Sequence, residues 1–378
     1  MSQGQALAQE LESGGPSKTL ENAGLCVLAL DGGGVRGLSS LYILRSIMER
    51  VNKERKKELK DDIKPCDLFD LICGTSTGGL IAIMLGRLKM TVDECIEKYN
   101  DMCERIFANK GRPVQVHFKT DRWYKLGSPS VEMQGAFDYT ILEACIMETI
   151  SGGAQSTEDA QNILLNNDPS EGDCKVFVCA TKGEASDTTA RFRSYNSDSP
   201  DFSTRGATIL QAARATSAAP GFFEPVIVDG ITFYDGGLGA NNPSMEAWEE
   251  IRDVWKPRKD NVADIVSCFI SIGCGDPGLQ TIEQGAFKFL TESLANLATE
   301  TKKTATRFHR ANGELFREKK CMRFNVEQGL QFVGLEEYKE RNKIKNAAEE
   351  YIMHPTTIDN TYAAVERLAQ KQCMVDFA

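Results

Sequence analysis

The sequence LFDLICGTSTGGLIAIMLGRL, residues 68–88, contains two apolar runs separated by a glycine-rich turn. The first run, Leu68–Cys73, is short and apolar except for Asp70, which is typical of a strand buried on both faces in a parallel sheet. The second run, residues 80–88, is predicted to form a buried helix, and Gly78 and Gly79 allow that helix to approach the sheet closely. A strand, a tight turn and a helix are therefore expected to follow one another here.

The same order occurs earlier in the chain. Leu25–Leu30 (LCVLAL) is a continuous apolar run. Asp31 and three glycines follow it, and Leu41, Leu44 and Met48 then recur with helical spacing. Further strand patterns lie at 174–180, 191–195, 221–228, 231–234, 265–273 and 321–326, with helical patterns at 138–150, 207–217, 243–255, 281–300 and 335–374. This alternation predicts an α/β fold, a three-layer α/β/α sandwich around a central, mainly parallel sheet.

Composition excludes several classes of protein. The chain has 378 residues, of which 41% are hydrophobic, enough for a full core, and its net charge is −10. An acidic balance argues against nucleic-acid binding and against attachment to anionic membranes by bulk charge. The polar N-terminus does not resemble a signal peptide, and no apolar run is long enough to span a bilayer. We therefore expect a cytoplasmic protein, at most peripheral to membranes.

The cysteines and histidines do not indicate a metal site. Several of the twelve cysteines lie within apolar runs and no CxxC pair is present, so buried thiols are expected. The three histidines, His117, His309 and His354, are far apart in the sequence. We predict neither a metal nor another cofactor.

Residues 74–78, GTSTG, carry the strongest chemical signal. They match G-x-S-x-G between a predicted strand and a predicted helix, a turn that strains the central serine and exposes its hydroxyl at the end of the sheet. Ser76 is therefore the predicted nucleophile, with Gly74 and Gly78 relieving the crowding on either side.

Two further glycine motifs follow strands. Residues 32–37, GGGVRG, match G-x-G-x-x-G, which taken alone is compatible with a dinucleotide-binding turn or with a glycine turn that binds no ligand. Residues 235–237, DGG, follow the alternating strand 231–234, and alone they favour a simple hairpin turn.

Together the motifs are more specific. In the order DGGGVRG, GTSTGG, ATSAAP (215–220) and DGG, the sequence resembles the patatin-like phospholipases, in the intracellular subset that includes fungal members. The resemblance extends from about Leu25 to Ser271. It implies a serine lipid acyl hydrolase that acts through a Ser76–Asp235 dyad and an acyl-enzyme. It also implies Gly32, Gly33 and Gly34 as the oxyanion loop, supported by Arg36, Gly37, Gly74, Gly78, Gly236 and Gly237.

Three alternatives stay open at this point. The order Ser76, Asp235, His354 matches an α/β-hydrolase triad, but no late strand leads to His354. An acyltransferase would use the same dyad on a lipid or thioester donor. A nucleotide-binding protein would use the glycine loop. Arg36 is open too, since it is equally compatible with steering a lipid phosphate and with an exposed structural role.

The expected organisation is a flexible tail (1–20), a catalytic domain (21–280) and a helical C-terminal part (281–378) packed on the same domain. Residues 151–173, rich in Gly, Ser, Asn and Asp, are expected to form an exposed linker. The partner expected is a lipid substrate at a membrane or micelle interface. Trp123 and Tyr124, in the loop-like stretch 108–135, are candidates for an apolar docking lid. No pattern indicates an oligomeric state.

Overall fold

The computed structural model describes most of the chain. Described are residues 24–58, 60–108, 116–118, 131–133, 135–152, 157–170, 172–183, 189–198, 204–257, 261–276 and 300–371. The predicted tail, the helix predicted at 281–300 except for its last residue, and the lid candidates Trp123 and Tyr124 lie outside the described residues.

An eight-stranded sheet forms the centre of the molecule, in the order β10-β9-β1-β2-β5-β8-β7, with β6 also paired to β5. From β10 to β5 neighbouring strands are parallel, whereas β6, β7 and β8 join antiparallel. A separate antiparallel pair is formed by β3 and β4. The strands are β1 Leu25–Leu30, β2 Leu71–Thr75, β3 Val116–Phe118, β4 Val131–Met133, β5 Lys175–Lys182, β6 Thr189–Arg193, β7 Val226–Val228, β8 Ile231–Asp235, β9 Val266–Ile272 and β10 Cys321–Phe324.

Helices cover both faces of this sheet. In chain order they are α1 Gly37–Lys57, α2 Pro65–Leu68, α3 Thr77–Ala82, α4 Val92–Phe107, α5 Tyr139–Ile150, α6 Thr157–Asn162, α7 Ile209–Thr216, α8 Gly237–Ala240, α9 Ser244–Trp255, α10 from residue 300 to 311, α11 Gly313–Arg317, α12 Arg341–Ile352 and α13 Pro355–Ala369. A π-helical segment, Ile83–Arg87, continues α3, and 3₁₀ turns lie at Gly34–Arg36, Val262–Asp264 and Tyr338–Glu340.

Side chains of β1 alternate between two hydrophobic cores. Cys26, Leu28 and Leu30 belong to the core beneath α1, α3, α4, α5 and α7, and the intervening residues of β1 belong to the core beneath α9 and α10. Two cores on opposite faces of one sheet are what the period of two along a strand produces when both faces are covered. The prediction of a three-layer α/β/α sandwich with a mainly parallel sheet is confirmed.

The C-terminal elements pack on the same layers. The last strand, β10, extends the sheet next to β9, and α12 and α13 pack against α1. Of the eleven cysteines in the described residues, ten are buried, in line with the buried thiols expected from their apolar settings. No helix in the described part of the chain is both long and apolar enough to cross a bilayer.

Several boundaries differ from those predicted. The strand expected from Leu68 starts at Leu71, because Pro65 initiates a short helix that ends at Leu68. The stretch 221–228 is a strand only from Val226. The exposed linker predicted at 151–173 was wrong for part of that stretch, because it contains α6 and the fully buried Leu165.

Candidate active site

Ser76 occupies a strained turn between β2 and α3. Its backbone has φ 55° and ψ −126°, a region that side chains rarely adopt. Glycines make this turn possible, because they allow the helix to lie very close to the neighbouring strand. A Cβ on Gly78 would lie 2.3 Å from the carbonyl oxygen of Leu30. A Cβ on Gly74 would likewise lie 2.0 Å from the carbonyl oxygen of Gly78. The sequence therefore holds the serine hydroxyl at the carboxyl end of the parallel strands.

The backbone and the side chain of Ser76 are both held by hydrogen bonds. Its Oγ donates to Asp235 Oδ2 at 2.6 Å. Its N–H donates to Thr216 Oγ1 at 3.0 Å, and that hydroxyl in turn donates to the Cys179 carbonyl on β5 at 2.6 Å. Thr216 thus ties the strained turn to the centre of the sheet.

The pairing of β5 explains why Asp235 lies beside Ser76. Residues 177–181 of β5 pair with β6 along one edge. Since a strand has two edges, β2 and β8 share the other one: β2 pairs with β5 as far as Cys179, and β8 begins its pairing at Ala180 with Asp235. One strand therefore ends where the other begins, and the residue after Thr75 meets the last residue of β8.

Asp235 is almost completely removed from water. The residue is 5% exposed, and its Oδ1 accepts a hydrogen bond from the Gly237 N–H at 2.7 Å. Burial raises the pKa of Asp235 to about 6, although the hydrogen bonds from Ser76 and Gly237 lower it. Gly236, between Asp235 and α8, packs so closely on β5 that a Cβ would lie 2.3 Å from the Cys179 carbonyl oxygen.

The glycine loop 32–34 lies against the serine. The Gly32 N–H donates to the Asn241 carbonyl at 3.1 Å and the Gly33 N–H donates to Thr77 Oγ1 at 3.0 Å. Gly34, at φ 56°, begins a 3₁₀ turn, so its N–H has no partner within that turn, while its carbonyl accepts the Tyr99 hydroxyl at 2.7 Å. Two of the three amides are thus used within the chain, an arrangement that offers no row of open donors to a pyrophosphate.

An apolar cavity of about 60 Å³, here called the proximal cavity, adjoins Ser76. Its lining combines the polar groups of the site with hydrocarbon from α3, α4, α5 and the segment after α7. The lining residues are Gly34, Ser76, Thr77, Leu80, Tyr99, Met102, Cys103, Ile106, Phe107, Leu142, Ser217, Ala219, Phe222, Phe223 and Leu335.

Comparison with known proteins identifies the family of this chain. Residues 28–248 match the patatin-like phospholipase family, a span that contains the glycine loop, the serine turn and the aspartate. The chain belongs to this family. The resemblance predicted from the motifs is therefore confirmed for this patatin-like chain.

Curated relatives of this patatin-like chain are named phospholipases. They include phospholipase A I of Arabidopsis thaliana (29% identity over 71% of the chain), calcium-independent phospholipase A2-gamma of Mus musculus (28% over 75%) and a cGAMP-activated phospholipase of Escherichia coli (33% over 58%). The chain spans 22%, 33% and 53% of the lengths of those proteins. Among solved structures, VipD of Legionella pneumophila aligns over 89% of this chain and 67% of its own at 12% identity, with a TM-score of 0.38.

The structure places two further residues that the sequence left open, Arg36 and His354. Arg36 is 7% exposed, so the alternative of an exposed arginine was wrong; its Nε donates to the Gly33 carbonyl at 3.4 Å and burial lowers the pKa of the guanidinium. His354 is exposed between α12 and α13 and its Nδ1 pairs with Thr356 Oγ1 at 2.7 Å. Asp235 meets the serine directly, which leaves the triad alternative without support.

Three residues of the patatin-like site were missed from the sequence alone. Thr216 lies inside the ATSAAP motif, so its position could have been singled out. Tyr99 and Leu335 carry no motif: Tyr99 reaches the glycine loop from α4, and the Leu335 carbonyl accepts the Val35 N–H at 2.8 Å. Their roles depend on packing between distant segments, which local patterns do not encode. Gly37, by contrast, stands where expected, at the start of α1, with the Tyr99 hydroxyl 3.0 Å from where a Cβ would lie.

Proposed function

We propose that this chain is a serine lipid acyl hydrolase that cleaves acyl esters of phospholipids or related lipids, with Ser76 as nucleophile and Asp235 as its base. The observation that carries the proposal is the 2.6 Å hydrogen bond from Ser76 Oγ to the buried Asp235 carboxylate, beside an apolar cavity. The family and the names of the relatives support a lipid ester as the substrate.

The dyad can catalyse both steps of the reaction, acylation of Ser76 and hydrolysis of the acyl-enzyme. With a pKa of about 6, Asp235 is ionised at neutral pH and is a better proton acceptor than an ordinary aspartate. It takes the proton of Ser76 Oγ as that oxygen attacks the acyl carbonyl carbon. The proton then passes to the departing alcohol as the tetrahedral adduct collapses to the acyl-enzyme. Asp235 then takes a proton from water as the water oxygen attacks the acyl carbon. When the bond from that carbon to Ser76 Oγ breaks, the fatty acid leaves and the proton passes from Asp235 to Ser76 Oγ.

The oxyanion formed in each half is proposed to bind the glycine loop. Gly34 supports this role best, because it lines the proximal cavity with Ser76 and its N–H is not used within its 3₁₀ turn. Gly33 N–H joins it once the Thr77 hydroxyl turns away. Gly32 contributes through its lack of a side chain, since a Cβ there would lie 2.9 Å from the Ser76 Cβ. One such donor is typically worth about 10²–10³ in rate.

A serine-directed fluorophosphonate tests the assignment. We expect stoichiometric labelling of Ser76, located by mass spectrometry, and its loss in Ser76→Ala. Asp235→Asn should abolish ester turnover, because an amide cannot accept the serine proton. His354→Ala is the matched control for a triad and should keep most of the turnover.

Label on another serine, or a folded His354→Ala as inactive as Ser76→Ala, would refute the dyad. The same preparation, assayed on a lipid panel with and without an added alcohol acceptor, separates hydrolysis from acyl transfer by the products formed.

We further propose that the substrate is met at a membrane or micelle surface. Two exposed apolar side chains lie three residues from site residues in the sequence: Leu238, 45% exposed, follows Asp235, and Phe332, 80% exposed, precedes Leu335. With a net charge of −10, apolar contact is the physically reasonable mode of docking.

A further inference from the structure

A second apolar cavity lies behind the proximal one, between α3, α4, α5 and α7. This distal cavity has a volume of about 20 Å³. Its lining residues are Leu80, Ile83, Met84, Leu88, Met102, Ile146, Thr149, Ile150, Ile209 and Ala213. None of these is charged, and Thr149, the hydroxyl among them, donates to the Cys145 carbonyl at 2.7 Å. A space without free polar groups does not hold water well and is suited to hydrocarbon.

Two residues separate the cavities. Leu80 and Met102 line both, so their side chains form the wall between them. Leu80 stands on α3, four residues after Ser76, and Met102 faces it from α4. Both are unbranched at Cβ, and methionine in particular changes rotamer easily, so the wall is movable.

The helix that carries Leu80 changes form where the distal cavity begins. From Ile83 to Arg87 it is π-helical, and the Leu88 N–H bonds to the Ile83 carbonyl at 2.9 Å. Such wider turns often occur at functional sites, since they displace side chains from the regular helical register. Ile83, Met84 and Leu88 line the distal cavity, so its wall is built on this irregular turn.

We propose that the two cavities are consecutive parts of one acyl-chain channel, and that Leu80 and Met102 form a partition that sets the preferred chain length. The acyl carbonyl lies at Ser76, the first part of the chain fills the proximal cavity, and a longer chain displaces the partition to enter the distal cavity. The substrate class is therefore an acyl ester whose chain extends beyond the proximal cavity. This inference rests on the proposed function, since it places the carbonyl at Ser76.

The size of the effect follows from hydrophobic transfer. Each methylene that leaves water contributes about fourfold to kcat/KM when it is buried in the transition state. Opening the partition should favour long chains, and filling the distal cavity should disfavour them. The two changes thus have opposite signs, which a general loss of activity cannot imitate.

The experiment compares kcat/KM for p-nitrophenyl palmitate and octanoate in the same detergent. We expect Leu80→Ala to raise the palmitate-to-octanoate ratio of kcat/KM at least about fourfold, which is the contribution of one further buried methylene. Ala213→Leu, which fills the distal cavity, should lower the ratio by a similar factor. Leu44→Ala, which removes the same atoms from α1 in the same core but outside both cavities, should leave the ratio at the wild-type value. If Ala213→Leu does not fold, the smaller Ala213→Val is measured instead.

Unchanged ratios in Leu80→Ala and in the folded Ala213 variant, or shifts of the same sign, would overturn the channel. So would an equal shift in Leu44→Ala. Failure of the proposed function looks different: wild-type protein would then hydrolyse neither ester, or would hydrolyse them without dependence on Ser76.

Discussion

At the scale of the residue, the site combines two features that oppose stability. Ser76 is held at a positive φ, which costs of the order of 1–3 kcal/mol. Asp235 is buried, and burial raises its pKa to about 6 because the ionised carboxylate is disfavoured away from water. Such costs are commonly found at catalytic sites, where stability is given up for reactivity. Removing one of them should therefore stabilise the fold while it destroys activity.

Asp235→Asn makes this measurable as a function of pH. The folded pKa of Asp235 is about 6 and the unfolded value about 3.8, so wild-type stability falls as pH rises between them and the loss is complete above about 6. The amide has no ionisation to lose. We expect the variant to be more stable by about 2–3 kcal/mol at pH 8, with the difference vanishing below about pH 3.

Thermal or urea unfolding at several pH values provides the measurement. In the wild-type enzyme the same ionisation should govern catalysis, with kcat/KM rising to a plateau above about pH 6. A variant that is less stable than wild type at pH 8 would show that the carboxylate contributes more through its hydrogen bonds than it costs through burial.

Ser76 and Asp235 could be singled out from the sequence because strained turns demand glycines, and glycines are visible as motifs. The raised pKa could not, since it depends on how deeply Asp235 is buried. The same holds for Tyr99, which lies in an ordinary amphipathic helix and meets Gly34 only through the packing of α4 against α1.

At the scale of the element, α9 is fastened to β6 by a buried ionic cluster. Glu250, on α9 and 0% exposed, accepts from Arg193 at 2.6 and 2.8 Å and from the Tyr195 hydroxyl at 2.7 Å. It also accepts from Arg191 at 3.1 Å. This cluster positions the helix that follows the Asp235 turn and α8. Its removal would leave two buried guanidinium groups without their central carboxylate.

Glu250→Ala should destabilise the protein by about 3–5 kcal/mol, because it removes the buried carboxylate that pairs with the buried Arg193 guanidinium. Glu249→Ala is the matched control: it lies on the same helix and pairs with Arg191 at 2.6 Å, but it is 45% exposed and should cost less than about 1 kcal/mol. Denaturant unfolding compares the two. Equal losses would mean that the buried cluster adds nothing beyond a surface pair.

Most elements followed from hydrophobic period, and the exceptions have physical causes. Helix α4 was not predicted from the sequence, although Thr91 and Glu94 form a capping box at its start. The single helical pattern at 335–374 is divided into α12 and α13, because Pro355 cannot continue a helix and instead begins a new one after His354. Hydrophobic period thus located most of the elements, while proline and capping residues set their ends.

At the scale of the whole molecule, charge and exposed apolar groups bear on how a lipid surface is reached. The net charge of −10 opposes attraction to anionic membranes, whereas Leu238 and Phe332 present hydrocarbon near the site in sequence. Docking that depends on apolar contact is insensitive to salt.

Leu238→Ser combined with Phe332→Ser should lower activity on phosphatidylcholine vesicles several-fold more than activity on a short soluble ester. Met353→Ser is the control, since Met353 is 66% exposed but lies between α12 and α13, away in sequence from every site residue. Equal losses on both substrates would place the two side chains in the site rather than at the surface. A steep fall of wild-type vesicle activity with salt would point to electrostatic docking instead.

Because β2 and β8 share one edge of β5, the proposed site forms only when both strands are in place. Any break in the chain between residues 76 and 235 leaves Ser76 and Asp235 on separate pieces, and neither piece alone contains the proposed nucleophile together with its proposed base. Only when both have settled end to end along the same strand does the pair exist. Turnover from two co-expressed fragments would therefore show that the fragments had assembled with Ser76 beside Asp235.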